Sequence, residues 1–174
     1  KALLLRPQEA GVWLNRGNAL ARLHRYEESL ISYGRAAVLK PGDLATLNAR
    51  SAVLTELRRY EDALACFDDI LRIDPQSLNT LINRGRILGR LGRYEEAASN
   101  YDRALALDPN LPYLPSIAAQ YRLHSCDWNR LEEDQTKIAS GVAAQETVVP
   151  HIQLRFSSVP EEQLRCARAY VARK

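Results

Sequence analysis

The sequence has 174 residues, 46% hydrophobic and 26% charged, an ordinary soluble composition in a chain long enough to bury a core without staples. Its net charge of +3, from 24 basic and 21 acidic residues, is too small an excess to mark a nucleic-acid binder. Cys66, Cys126 and Cys166 are odd in number and far apart, which excludes a disulfide framework or a CxxC metal pair and points to a reducing cytoplasm. No apolar run approaches the ~18 residues of a membrane span, and no signal peptide is recognisable. The chain lacks Met, so it reads as a fragment or a processed product.

In chain order, the text repeats itself. Pro7, Pro41, Pro75 and Pro109 stand 34 residues apart, as do Tyr26, Tyr60 and Tyr94. Arg25-Tyr26-Glu27-Glu28 recurs as Arg59-Tyr60-Glu61-Asp62 and Arg93-Tyr94-Glu95-Glu96. Tyr33, Phe67 and Tyr101 share one position of the frame, Ala36, Ile70 and Ala104 another, and Gly17, Ser51 and Gly85 a third. A period of this length signals a solenoid, in which each unit buries its apolar face against its neighbours.

Residues 1–9 keep the frame through Ala2 and Pro7 and are expected to end a preceding repeat. Units at 10–43, 44–77 and 78–111 follow. In the first, Trp13, Leu14, Gly17, Leu20, Ala21 and Leu23 have helical spacing. A turn at His24-Arg25 then leads into a second amphipathic helix marked by Tyr26, Leu30, Tyr33, Ala37 and Val38. Glu27 and Glu28 fall in that helix's first turn, where the helix dipole favours negative charge. Pro41 with Gly42 ends it. The small residues at Gly17, Ser51 and Gly85 are expected to let the second helix approach the first, with the rings of Tyr33, Phe67 and Tyr101 filling between units. Trp13 is expected to be buried between helices.

The frame decays after Pro109. Residues 112–145 read as a degenerate closing repeat, with helices over 117–123 and 131–138 and Cys126-Asp127-Trp128-Asn129 at the turn. Trp128 takes the tyrosine position and is expected to pack at the junction. In 146–174, Thr147-Val148-Val149-Pro150 and Ile152–Phe156 read as an extended connector, and Pro160-Glu161-Glu162 opens a last helix.

The period and the pattern Trp13, Gly17, Leu20, Tyr33, Ala36, Pro41 resemble a tetratricopeptide repeat (TPR). The resemblance implies an all-α fold, a right-handed superhelical solenoid of antiparallel helix pairs. The segment from His124-Ser125-Cys126-Asp127-Trp128 through the Pro150 region and Phe156 to Pro160–Tyr170 is similar to a second pattern, the junction in bacterial O-GlcNAc-transferase-like proteins. There TPRs lead into a two-lobed glycosyltransferase. This resemblance implies a parent enzyme that moves a sugar from a UDP-sugar donor to Ser or Thr hydroxyls. In that family the catalytic histidine and the nucleotide-binding residues lie downstream of this helix. The chain itself is therefore expected to hold no catalytic residue and no cofactor.

Within the chain, Gly85, Gly89 and Gly92 follow a helix-and-turn pattern rather than a phosphate loop. His124, Cys126 and Asp127 are too few for a zinc site and read as part of the repeat cap. The acidic runs Asp68-Asp69 and Glu132-Glu133-Asp134 read as solvated helix faces. The candidate site is a binding face on the first helix of each unit. In O-GlcNAc transferases an asparagine ladder there holds peptide backbone, because an amide both donates and accepts hydrogen bonds. Asn15 and Asn83 match that position, while the middle unit has Ala49 with Asn48 one place earlier. Asn18, Arg22, Asn79, Arg86 and Arg90 join the same face, and the arginines suit acidic or phosphorylated peptides. The structural alternative is that Asn15 and Asn83 only tie neighbouring repeats together. Arg16, Arg50 and Arg84 read as packing stems and inter-repeat ion pairs.

The expected function is thus a cytoplasmic protein-interaction module presenting protein or peptide substrate to a transferase. The rival is a stand-alone scaffold or adaptor with no enzyme attached. Neither nucleic acid nor membrane is an expected partner, and the cut ends of the array offer a surface for self-association.

Overall fold

The computed structural model describes residues 8–111, 113–143 and 168. Eight helices run through them: α1 (Ala10–Arg22), α2 (Tyr26–Leu39), α3 (Leu44–Glu56), α4 (Tyr60–Ile73), α5 (Leu78–Arg90), α6 (Tyr94–Leu107), α7 (Leu114–His124) and α8 (Leu131–Ala143). There is no strand among the described residues. The expected end of a preceding repeat over 1–7, the connector, and the last helix apart from Arg168, which is helical, lie outside the described residues.

By internal packing the chain forms two units, Lys1–Thr80 and Leu81–Lys174. In the first, α1 packs on α2, α2 on α3, and α3 on α4. Gly17 explains the closeness of the first pair. A Cβ at that position would lie 2.3 Å from the Tyr33 ring, nearer than any side chain tolerates. Tyr33 is buried, and its hydroxyl donates to Asn18 Oδ1 at 2.8 Å. Ser29 is buried beside them and donates to the Gly17 carbonyl at 2.9 Å. In the second pair Val53, Leu54, Ala63, Leu64, Phe67 and Ile70 form the core. Asp43 caps α3, accepting from the Thr46 backbone N–H at 3.0 Å and from the Thr46 hydroxyl, which satisfies an otherwise unbonded donor.

In the second unit Leu81, Ile87 and Leu88 of α5 are fully buried with Ala97, Ala98, Tyr101 and Ala104 of α6. Gly85 faces the Tyr101 ring, and Gly89 faces Tyr121 of α7, whose hydroxyl oxygen lies 2.1 Å from where a Cβ would stand. Tyr121 stacks on Tyr101 (5.6 Å between centroids) and on Tyr94, and Tyr94 in turn meets His124. The ring of the third helix pair therefore fills toward the fourth.

The turn between paired helices recurs four times with one geometry. The backbone N–H of Arg25, Arg59, Arg93 and Asp127 bonds the carbonyl of Leu20, Leu54, Leu88 and Arg122 respectively. The preceding residue takes a left-handed conformation each time: His24 (φ 57°), Arg58 (57°), Gly92 (76°) and Cys126 (57°). This is the αL helix ending that satisfies carbonyls left open at a C-terminus. Arg25, Arg59 and Arg93 then bond Glu28, Asp62 and Glu96 three residues on.

Some expectations require correction. Trp13 is only half-buried, lying beneath the Arg16 guanidinium at 5.8 Å. Val38 is 76% exposed and Leu23 also faces solvent, while Gly17, Leu20, Ser29, Ser32, Tyr33 and Ala36 are the buried positions of this pair. Trp128 is 58% exposed rather than packed. Arg16 donates to Ser32 of its own helix pair, an intra-repeat tie rather than an inter-repeat ion pair. In the same frame Asn100 stands where Ser32 stands, and its Oδ1 is buried without a hydrogen-bond partner among the described residues.

Candidate functional site

The first-helix residues singled out by sequence fall into two groups. On α1, Asn15, Asn18 and Arg22 are all exposed and, at spacings of three and four, share one side of the helix. Asn15 and Arg22 take no hydrogen bond among the described residues, leaving an amide and a guanidinium open to a ligand. Asn18 is already engaged through the carbonyl that accepts from Tyr33, so it combines a structural duty with an exposed Nδ2. On α3, Asn48 is exposed, but its Nδ2 donates to the Leu44 carbonyl of its own helix at 2.8 Å. The side of α3 equivalent to Asn15, Asn18 and Arg22 carries Ala49, Ala52 and Glu56, with Ala52 and Glu56 exposed. Asn79, in the first turn of α5, is exposed.

In the second unit Asn83 is half-buried and accepts from Arg86 at 3.1 Å. Arg86 and Arg90 are exposed on the same side of α5. Their positive charge acts on Tyr101 and Tyr121, whose hydroxyls are nonetheless pushed above the usual tyrosine range, chiefly by burial. These residues make a cationic strip backed by aromatic rings, suited to an anionic or aromatic partner group.

The chemistry-bearing residues sequence reasoning set aside lie elsewhere. Arg122 and Asp134 are 4% and 6% exposed. Arg122 Nε and Nη2 donate to the two oxygens of Asp134, the former at 2.8 Å, and Nη1 donates to Asp102 of α6 at 2.7 Å. Arg130 adds a donor to Asp102 at 3.1 Å. Burial opposes the charge on Arg122, but the bonds to Asp134 and the attraction of Asp102 outweigh it and raise its pKa further. Asp134 is thus not on a solvated face, which corrects the reading of the acidic run. The available signal was that Arg122 occupies the core position of Leu20, Leu54 and Leu88.

A cleft of about 410 Å³ opens beside this cluster, lined by Ala98, Ser99, Asp102 and Arg103 of α6 with Ser125 and Asp127 among the remaining wall. Asp102 is held by two guanidiniums, so it is not poised as a base. Cys66 is buried and its thiol is pushed above its ordinary pKa by that burial, the opposite of nucleophile activation. Among the described residues no group of three His, Cys, Asp or Glu is placed to hold a metal ion, and no helix is long and apolar enough to cross a membrane.

Two family models, both described as tetratricopeptide repeat, match residues 1–43 and 42–110. Residues 1–110 are tetratricopeptide repeats. Among solved structures the chain is similar to the Arabidopsis OM64 TPR domain, at 24% identity and a TM-score of 0.59, covering 66% of this chain and 95% of that one. It is similar to the first TPR of Spaghetti (RPAP3) bound to the HSP90 peptide SRMEEVD, at 22% identity and 0.57, covering 68% and 91%. The MamA RS-1 ArsTM double mutant aligns over 95% of this chain and 96% of its own, at 17% identity and 0.76. Identities this low speak to the TPR fold alone. A comparison with curated proteins finds no match.

Proposed function

We propose that the TPR array binds a protein or peptide segment on the exposed side of its first helices. The observation that carries this is the open amide and guanidinium of Asn15 and Arg22, with exposed Asn18 between them. An exposed asparagine in a helix interior adds little to helix stability, whereas it can pair with both groups of a peptide bond. In the same unit Asn48 offers its carbonyl and Asn79 an exposed amide, and in the second unit Asn83, Arg86 and Arg90 offer like chemistry on α5. The TPR fold of a neighbour that carries a bound HSP90 peptide supports a peptide as ligand.

The test is a peptide array probed with the parent chain and with Asn15→Ala combined with Asn79→Ala. Losing two hydrogen bonds of about 1 kcal/mol each should weaken capture roughly 30-fold while the melting curve is unchanged. Equal capture by both proteins would remove the amides from the site.

The parent protein, in this proposal, is a protein O-GlcNAc-transferase-like glycosyltransferase using a UDP-sugar. The sequence from His124 to Tyr170 favours it, and holding the acceptor near a catalytic domain raises its effective concentration. Radiolabelled UDP-GlcNAc supplied to the full-length gene product and to this chain should label protein only with the former. A full-length product that ends soon after Lys174 would instead favour the adaptor reading.

A further inference from the structure

The fourth turn departs from the other three in one respect. Its αL ending keeps the 34-residue frame, with Asp127 in the place of Arg93. Its helix does not: α8 starts at Leu131, 37 residues after Tyr94 starts α6. The carbonyls of Arg25, Arg59 and Arg93 accept from Ser29, Ala63 and Ala97, and the matching bond in the fourth pair joins Arg130 to Asp134. Likewise the Arg25–Glu28 type of ion pair reappears as Arg130–Glu133. The second helix has slid three residues along the frame.

Two settings of α8 were open to this sequence. Keeping the frame would start the helix at Trp128, put Leu131 where Ala97 stands, and set it against residue 122. That setting buries Leu131 and Ile138 but leaves Arg122 with Asp102 alone, its Nε and Nη2 donors facing a hydrocarbon, which is unfavourable in the interior. The observed setting buries Asp134 at that position and Ile138 in the place of Tyr101. Where the first three repeats bury Leu with Ser or Ala at these two positions, the fourth buries Arg122 and Asp134. The displaced residues form the turn, and Trp128, at the position of half-buried Tyr26, Tyr60 and Tyr94, reaches the surface.

We propose that the Arg122–Asp134 pair, braced by Asp102, is a register selector that slides the closing helix by three residues and thereby presents Trp128 outward. A buried polar pair fixing register is a known use of such groups, and an exposed indole is strong interface material.

The test moves the carboxylate. In the 174-residue chain carrying Trp13→Phe, Trp128 is the sole tryptophan. Leu131→Asp combined with Asp134→Leu offers Arg122 its partner in the unshifted frame. Trp128 emission should then move to shorter wavelength, acrylamide quenching should fall, and the first protected amide of α8 should move toward Trp128. Arg122→Leu should do the same by removing the charge, and Arg122→Lys should leave Trp128 as quenchable as in the parent. If Trp128 stays equally accessible in both shifting variants with α8 still protected, the pair does not choose the register. If either shifting variant loses α8 protection altogether, the pair only fastens the helix, and the proposal also fails.

Discussion

The first and fourth helix pairs solve one packing problem with opposite chemistry. In the α1–α2 pair a missing side chain at Gly17 admits the Tyr33 ring, and Leu20 and Ser29 are buried at the positions Arg122 and Asp134 take in the fourth pair. In the α7–α8 pair the equivalent position holds a guanidinium, and a carboxylate has to follow it inside. Apolar packing is graded, so it tolerates small changes. An ion pair under cover is conditional, since each half is costly without the other.

The sharpest way to break that contrast is Asp134→Ala. Arg122 cannot leave α7 and would keep only Asp102, so the fourth pair should lose about 3 kcal/mol. Hydrogen exchange would show this as lost protection confined to α8, with α1–α4 unchanged. Protection of α8 equal to the parent would mean that water already reaches the pair.

The next effect lies in the first pair. Gly17→Ala drives a methyl into the Tyr33 ring and should destabilise by about 1–3 kcal/mol, read by urea denaturation. Gly85→Ala meets Tyr101 at 3.0 Å rather than 2.3 Å and should cost less. Gly34→Ala in α2 meets nothing within 4 Å and should stabilise by about 0.5–1 kcal/mol through helix propensity. If all three shift stability alike, close approach is not what fixes these glycines.

Much of this pairing is legible in the sequence. A period of 34 with a glycine and a ring in fixed positions determines which helices touch and where, because steric fit is local to the pair. The candidate face was available only as a list: Asn15 and Asn83 came from the resemblance to O-GlcNAc transferases, and Asn18 and Arg22 from sharing the side of Asn15, but Asn18 is engaged by Tyr33 and Asn48 by Leu44, and sequence does not tell a free amide from a bonded one. The start of α8 at Leu131 was legible from its spacing, but the cause of its offset from the frame was not. Counting forward from Tyr94 gives Trp128, and the residue that breaks the count, Arg122, lies in the preceding helix.

A smaller effect concerns α3, whose start is fixed by one carboxylate. Asp43 is held below the ordinary aspartate range, first by the hydrogen bond from Lys40 and then by those from Thr46. Asp43→Ala should cost about 1 kcal/mol. Because the folded pKa is the lower one, the charge-dependent part is complete above the unfolded value and disappears as pH falls through the folded one. Parent and Asp43→Asn should therefore differ at pH 7, begin to approach each other only below about pH 4, and converge once pH has fallen below the depressed folded pKa, a comparison for thermal melts across pH.

The smallest effect sharpens what all four turns share. Nature placed glycine at this left-handed position once, at Gly92, and His24, Arg58 and Cys126 adopt it despite their side chains. A left-handed L-residue costs about 1–2 kcal/mol, against about 0.5–1 kcal/mol for the extra freedom of unfolded glycine. Arg58→Gly should therefore stabilise by about 0.5 kcal/mol, and Gly92→Ala should destabilise by about 1 kcal/mol. His24→Gly should gain less than Arg58→Gly, because it also removes the bond between His24 Nδ1 and the Tyr26 hydroxyl at 2.8 Å. Differential scanning calorimetry of the three variants would order them. An Arg58→Gly variant less stable than the parent would mean that the arginine side chain, not the backbone, holds the second turn.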